Sequence, residues 1–270
     1  MFLAIVRQKM NGRKRHIGMV PFLAAVIALI IGVTVSQSWA DGHNIEDFAT
    51  TEVFLEFNST DLDLGLHLFF DAPGWEKVTV EGPNGTTFSV KNGGGLKKIG
   101  STEVFTESAE PPLDEEDLQE SIEEFLDMFP EGEYSFEGKT VDGFKLMGTA
   151  MLTHDIPSAP GLIFPDSDLE ENEADPEDTV IKWEDTSEPG DPEIVRYQVV
   201  VEFEEEITEN VFEFSVDVLA DPNALYQSVT VPEEFFESLE GLEGEYKAEV
   251  VAIEGSRNAT ISEKEFDLEE

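Results

Sequence analysis

Hydrophobic and polar residues alternate in short runs along most of the chain. The clearest run spans 239–253, where Tyr246, Ala248, Val250 and Ala252 fall at the two-residue period that sets one face of a strand on a core. Glu245, Lys247 and Glu249 take the opposite face, so a central strand entered through a turn at Gly244 is predicted. Earlier in the chain, Val53, Leu55 and Phe57 alternate with Glu52, Phe54 and Glu56, and Leu64, Leu66, Leu68 and Phe70 follow Asp61-Leu62-Asp63, which predicts two more strands. Residues 75–82 and 86–91 bracket Pro83-Asn84-Gly85 with Val78 and Val80 facing Phe88 and Val90, the pattern of a hairpin around an Asn-Gly turn. A glycine-rich loop at 92–95 leads to a further strand near 103–107, and residues 41–50 are expected to be a frayed lead.

Residues 113–129 break the alternation. Leu118, Ile122, Phe125 and Phe129 recur at steps of four, three and four, the apolar stripe of a helix. Asp114 is placed to cap it, and Pro130-Glu131-Gly132 stops it, so a helix over about 114–129 should close one end of a first domain. The tetrapeptide Glu131-Gly132-Glu133-Tyr134 then recurs as Glu243-Gly244-Glu245-Tyr246. Each copy follows an apolar, acidic segment and precedes a strand, a turn and a last strand, which predicts that both halves end in the same hairpin of a Greek-key sandwich.

Pro157 and Pro160 stiffen a short linker, 154–160, between residues 50–153 and 161–268. In the second half, runs at 161–165, 180–183, 195–203, 211–219 and 228–232 join the two closing strands, and 166–178 reads as an exposed acidic loop. Trp183, Tyr197, Leu242 and Tyr246 with its alternating strand resemble the core signature of a fibronectin type III domain over 157–268. The whole chain resembles exported bacterial proteins that carry such a domain at the C-terminal end. The expected fold class is therefore mainly β, with two immunoglobulin-like β-sandwich domains, the first with one capping helix. The resemblance implies a scaffold and no particular activity, since this fold hosts many.

Residues 1–40 carry Arg7, Lys9, Arg13, Lys14 and Arg15, an apolar run at 17–35 and Ser38-Trp39-Ala40, the pattern of an export signal cleaved after Ala40. The alternative is an uncleaved anchor, because the run nearly reaches the length that spans a bilayer. Either way the protein is expected to be exported, periplasmic or extracellular, and to touch a membrane only if the segment is retained. The chain lacks cysteine, so its core must hold it without disulfides. Those 40 residues hold five of the 16 basic residues and no acid, so cleavage takes the formal charge from −44 to −49. Such a field excludes nucleic acid, whose binding needs cations against phosphate, and predicts a surface stabilised by salt.

Candidate chemistry is sparse. Asp61 and Asp63 before Gly65 place two carboxylates for calcium, without the third acid and distal Glu of a full loop motif. His43, His67 and His154 are far apart with no cysteine to help, so no transition-metal site is expected, and His154 reads as a boundary residue bonded to backbone. Serine on a strand-to-helix elbow is missing, and acids such as Glu202 and Glu204 beside Phe203 belong to a strand's outer face. Trp75 follows a turn and is either a cap on the first core or an exposed indole for a sugar or protein. Asn58, Asn84 and Asn258 each open a glycosylation triplet. These readings predict a non-enzymatic binding or adaptor protein without a cofactor, whose partner is another exported or cell-envelope protein, or a glycan. The alternatives are a carbohydrate- or calcium-binding first domain, or an accessory protein of an exported hydrolase.

Overall fold

The computed structural model describes residues 45–164 and 173–268; the expected export signal and residues 166–172 of the expected exposed loop 166–178 lie outside them, and in the rest of that loop Glu173–Ala174 forms a short strand with Ala174 buried in the core. The first half contains β1 (Ile45–Asp47), β2 (Thr50–Asn58), β3 (Asp63–Gly82), β4 (Gly85–Lys91), α1 (Leu96–Ile99), β5 (Ser101–Glu107), α2 (Leu118–Met128), β6 (Gly132–Thr140) and β7 (Lys145–Leu152). The second contains β8 (Gly161–Phe164), β9 (Glu173–Ala174), β10 (Val180–Glu184), β11 (Ile194–Glu205), β12 (Val211–Leu219), β13 (Gln227–Thr230), α3 (Glu233–Glu237), β14 (Gly244–Glu254) and β15 (Ala259–Leu268). The protein is mainly β, and each half is a sandwich around its own core.

The two halves are wired alike. In the second, β8, β10 and β13 form a three-stranded sheet, while β12, β11, β14 and β15 lie side by side in the facing sheet. In the first, the 20-residue β3 serves both layers. Its early part pairs with β2 and β5, and its later part pairs with β4 and β6, which in turn pairs with β7. Pairing therefore runs β2-β3-β5 and β4-β3-β6-β7, the same three-plus-four arrangement as β8-β10-β13 and β12-β11-β14-β15. The register breaks between Asp71 and Trp75, where Pro73 lacks the N–H a ladder needs. Two strands were expected here, and the structure has one bent strand.

The predicted pairs Val78↔Val90 and Val80↔Phe88 are the observed ones. Both copies of the repeated tetrapeptide open the closing hairpin, β6–β7 or β14–β15, after a helix. Tyr134 is buried, and its ring lies where a Cβ on Gly82 would sit, so that glycine admits the aromatic. Its hydroxyl donates to the Pro130 carbonyl at 3.2 Å, tying the turn to the strand. The alternating face of β14, with Ala248, Val250 and Ala252, packs with Trp183 and Tyr197, whose rings are 5.3 Å apart.

Several expectations need correction. Trp75 is 1% exposed and sits 5.7 Å from Phe70 in the first core, so it offers no indole to a surface; a large aromatic just after the bend is where the two layers meet and most volume must be filled. Helix α2 begins at Leu118 rather than 114, because Asp114 accepts from the Glu116 amide in a turn of its own and Asp117 takes the cap position. Phe125, Ile122, Leu126 and Phe129 still pack on the core. Leu242 is 38% exposed and Leu239 is the buried leucine of that corner. Residues 45–47 of the expected frayed lead form β1, which pairs in parallel with β7.

The two sandwiches join edge to edge. Ala259, Thr260 and Ile261 of β15 pair in parallel with Glu56, Phe57 and Asn58 of β2, so β5, β3, β2, β15, β14, β11 and β12 make one continuous sheet. Asn258, fully buried, pins this junction. Its Oδ1 accepts from the Leu55 amide at 2.9 Å, and its Nδ2 donates to the Thr153 carbonyl at 3.0 Å and the Asp155 carbonyl at 3.3 Å. Thr260 Oγ1 donates to the Pro157 carbonyl at 2.5 Å, so the expected linker is held by the second sandwich as well as by its prolines. Asn58 and Asn258 are both buried, which removes two of the three glycosylation triplets.

Candidate functional site

The outer face of the first sandwich, where β2, β3 and β5 lie together, carries a histidine among carboxylates. Alternation puts Glu56 of β2 and His67 of β3 on this face, and the register sets His67 opposite Phe54 on one side and Glu107 of β5 on the other. After β5 the chain folds back over the sheet. The Ser108 amide donates to the Leu66 carbonyl at 2.9 Å, the Leu66 amide donates to Ser108 Oγ at 3.0 Å, and the Leu113 amide donates to the Leu62 carbonyl at 2.7 Å. This return lays Glu110 directly over Gly65, at a spot a Cβ on residue 65 would contest. Gly65 therefore sits inside β3 and makes room for a carboxylate, rather than turning a calcium loop.

His67 is 1% exposed and stacks on Phe54 with ring centroids 5.0 Å apart; Phe105 lies 5.5 Å away on its other flank. Its Nε2 is 3.7 Å from Glu56 Oε1, and neither ring nitrogen has a hydrogen-bond partner. One ligand atom from each of Glu56, His67 and Glu110 lies within 4.8 Å of the others. Burial pushes the Glu56 carboxyl up to about 8, helped by the surrounding carboxylates Glu110, Glu107, Glu249 and Asp63. Burial lowers His67 to about 4, so the imidazole is neutral at physiological pH. Glu110 is raised by burial and by Glu107, with which it shares a hydrogen bond. A neutral imidazole with desolvated carboxylates can take up protons or coordinate a cation.

The predicted pair Asp61 and Asp63 lies at the rim of this cluster. Asp61 is exposed in a turn whose amides are held by Asn58 Oδ1, and Asp63 is half-buried, bridged to Pro112. Burial, then Glu110, Asp61 and Glu263, pushes Asp63 up to about 7. The structure thus brings the pair beside Glu110 and Glu263, while His67, Glu56 and Glu110 form the tighter group. His154 bonds as expected, its Nε2 2.8 Å from the Phe129 carbonyl.

Across the junction, Val251, Ile253, Ala259 and Ile261 form a small buried cluster, and Glu249 is buried beside Lys247 at 2.9 Å. Alternation set Glu249 on the face of β14 opposite the core, with nothing to mark it as buried. Pairing of β15 with β2 joins the two outer faces, and these four apolar residues are buried there.

At the far end of the continuous sheet, β12 is the terminal strand, paired with β11 alone among the described residues. Its last residue, Leu219, is 81% exposed, and Leu225 on the following loop is 86% exposed. Val195 and Tyr226 extend this patch. The Ala220 amide donates to the Val195 carbonyl, Gln227 Nε2 donates to the Leu219 carbonyl, and Lys182 Nζ lies 3.7 Å over the Tyr226 ring. Nothing in the alternation singled out these residues, because an exposed leucine at a strand end has no period to violate.

No family model matches the chain, and no curated protein sequence matches it. Among solved structures, it is similar to one reported as "Structural insight into host cell surface retention of a 1.5-MDa bacterial ice-binding adhesin", at 13% identity and a TM-score of 0.25 over 81% of this chain and 65% of that one. It is also similar to a tetra-tandem repeat in the extending region of a large adhesion protein, at 13% identity and a TM-score of 0.25 over 81% of this chain and 50% of that one. The chain thus spans 65% and half of the lengths of these two. Likeness at this level carries no argument about activity, and the sandwich assignment rests on the strand pairing. No helix of the described residues is long and apolar enough to cross a membrane.

Proposed function

We propose that the protein is an exported, non-enzymatic binding module. Two immunoglobulin-like sandwiches act as one stiff unit, and the second, fibronectin type III-like, takes a protein partner along β12 and the apolar end beside it. The observation that carries this reading is the exposure of Leu219 and Leu225 at the open edge of the sheet. An edge strand offers unpaired amides and carbonyls to an added strand, and neighbouring apolar side chains supply the anchoring area. The fibronectin type III assignment is supported by the three-plus-four strand order and by Trp183, Tyr197 and Tyr246 in one core. A strongly acidic chain favours a neutral or basic partner, since like charge across an interface costs several kcal/mol. With Trp75 buried, the indole-based sugar reading has no surface to use.

The test is site-specific photo-crosslinking in the native cells, with the reactive side chain at position 225 and, as a control, at the exposed position 137 on β6. A discrete protein adduct from 225 alone, lost when Leu219→Asp is added, supports the reading. Equal labelling from both positions, or a 225 adduct indifferent to Leu219→Asp, overturns it.

A further inference from the structure

We propose that Glu56, His67 and Glu110 bind one first-row divalent transition-metal ion, of the zinc or manganese class, between the outer face of the first sandwich and the segment folded over it. Two independent observations meet here. The first is the cluster itself, with ligand atoms from three residues within 4.8 Å of one another. The second is His67, which is 1% exposed, held between Phe54 and Phe105, and left with no hydrogen bond at either nitrogen. A buried imidazole without a partner forfeits the hydrogen bonds it made in water, unless something else takes the lone pair.

Geometry and ligand chemistry narrow the occupant. Metal bonds of roughly 2.0–2.1 Å place tetrahedral ligands about 3.4 Å apart. Glu56 Oε1 and His67 Nε2 are 3.7 Å apart, so they need to close by only a few tenths of an ångström. Glu110 reaches in from a loop on a flexible side chain and can follow. The imidazole nitrogen favours zinc over calcium and magnesium, which take oxygen shells, and the two carboxylates also admit manganese. Glu107, opposite His67 in the ladder and hydrogen-bonded to Glu110, orients that ligand. Gly65 leaves the space through which Glu110 crosses. This site is separate from the β12 edge and does not depend on the reading of that edge.

The experiment uses the purified protein, stripped with chelator and dialysed, in thermal melts with Zn2+, Mn2+ or Ca2+. At a hundredfold excess over its dissociation constant, Zn2+ or Mn2+ is expected to raise Tm by roughly 5–10 °C. Isothermal titration should give one ion per chain, and Co2+ should produce a visible absorption band. His67→Phe fills the same slot between Phe54 and Phe105 with an apolar ring, so it should fold and yet lose the shift; Glu110→Gln should weaken it at least tenfold. No shift with Zn2+ or Mn2+, or an equal shift in His67→Phe, overturns the proposal. So does a shift given by Ca2+ alone, which would move the cation to the carboxylate rim at Asp61 and Asp63.

Discussion

Replacing Asn258 by alanine should loosen the junction while leaving both cores intact. The change deletes the acceptor for the buried Leu55 amide, at 2.9 Å, and the donor to the Thr153 carbonyl and Oγ1, both at 3.0 Å, and to the Asp155 carbonyl at 3.3 Å. A buried group left unpaired costs about 1–3 kcal/mol, and the Thr153 and Asp155 carbonyls sit where water can partly replace the lost donor. The expected loss is about 3 kcal/mol, a large part of the 5–15 kcal/mol that keeps a typical domain folded. Trp75 reports the first core and Trp183 the second, so urea titrations of Trp75→Phe and Trp183→Phe chains follow each sandwich separately. With Asn258 present the two transitions should coincide, and with Asn258→Ala they should separate. Asn258→Asp is the sharper control. It keeps an acceptor for Leu55 but turns an oxygen towards two carbonyls, beside the Glu254 carboxylate that accepts the Asn258 amide. It should therefore cost at least as much as alanine at pH 7 and recover towards pH 4. A loss below about 1 kcal/mol in Asn258→Ala, with coincident transitions, would refute the claim that this side chain couples the halves.

Three further outcomes follow from the same structure. Burial holds Glu249 above the ordinary carboxylate range, to about 8, against the pull of Lys247 and with Glu202 and Glu263 adding to the rise. The folded state thus binds an extra proton between about pH 4.5 and 8, so Tm of the chelated protein should fall as pH rises through that window, and Glu249→Gln should make the fall shallower. Because the acidic surface repels itself, Tm should rise from low to near-molar NaCl, and a flat or falling curve would count against a surface adapted to salt. Trp75→Ala empties a fully buried indole site and should cost about 3–5 kcal/mol in a denaturant titration, where an exposed indole would cost almost nothing.

Most of the fold was legible because its strands obey a local rule. The Val78↔Val90 and Val80↔Phe88 pairs follow from an Asn-Gly turn and a two-residue period, and the repeated Glu-Gly-Glu-Tyr marks both closing hairpins. Trp183, Tyr197 and Tyr246 lie in one core, as the resemblance to a fibronectin type III domain implied. What escaped is set by contacts between distant segments. Alternation puts Glu56 and Glu249 on the faces opposite the cores but cannot know that β15 will pair with β2 beside them. His67 looked isolated because its neighbours Glu56 and Glu110 come from another strand and from a returning loop, and a chain with 60 acids hides which of them will meet. Asp61 and Asp63 were visible as a close pair, yet the tighter cluster beside them has no sequence spacing at all. Trp75 was ambiguous because a turn before it permits either direction, and only the bend in β3 decides.

The junction also fixes an order of events in time. Asn258 meets Leu55 across 203 residues, so nearly the whole second half must be made before β2 gains its neighbour β15. Contacts of such separation form late, because closing a long loop costs entropy before any bond repays it. Until then β2 is an open, apolar-backed edge on an otherwise folded first half, the kind of surface that chaperones hold and that aggregates template upon. A chain stalled before β15 would therefore be the dangerous species, and its lifetime, rather than the stability of the finished protein, would set how much of it survives.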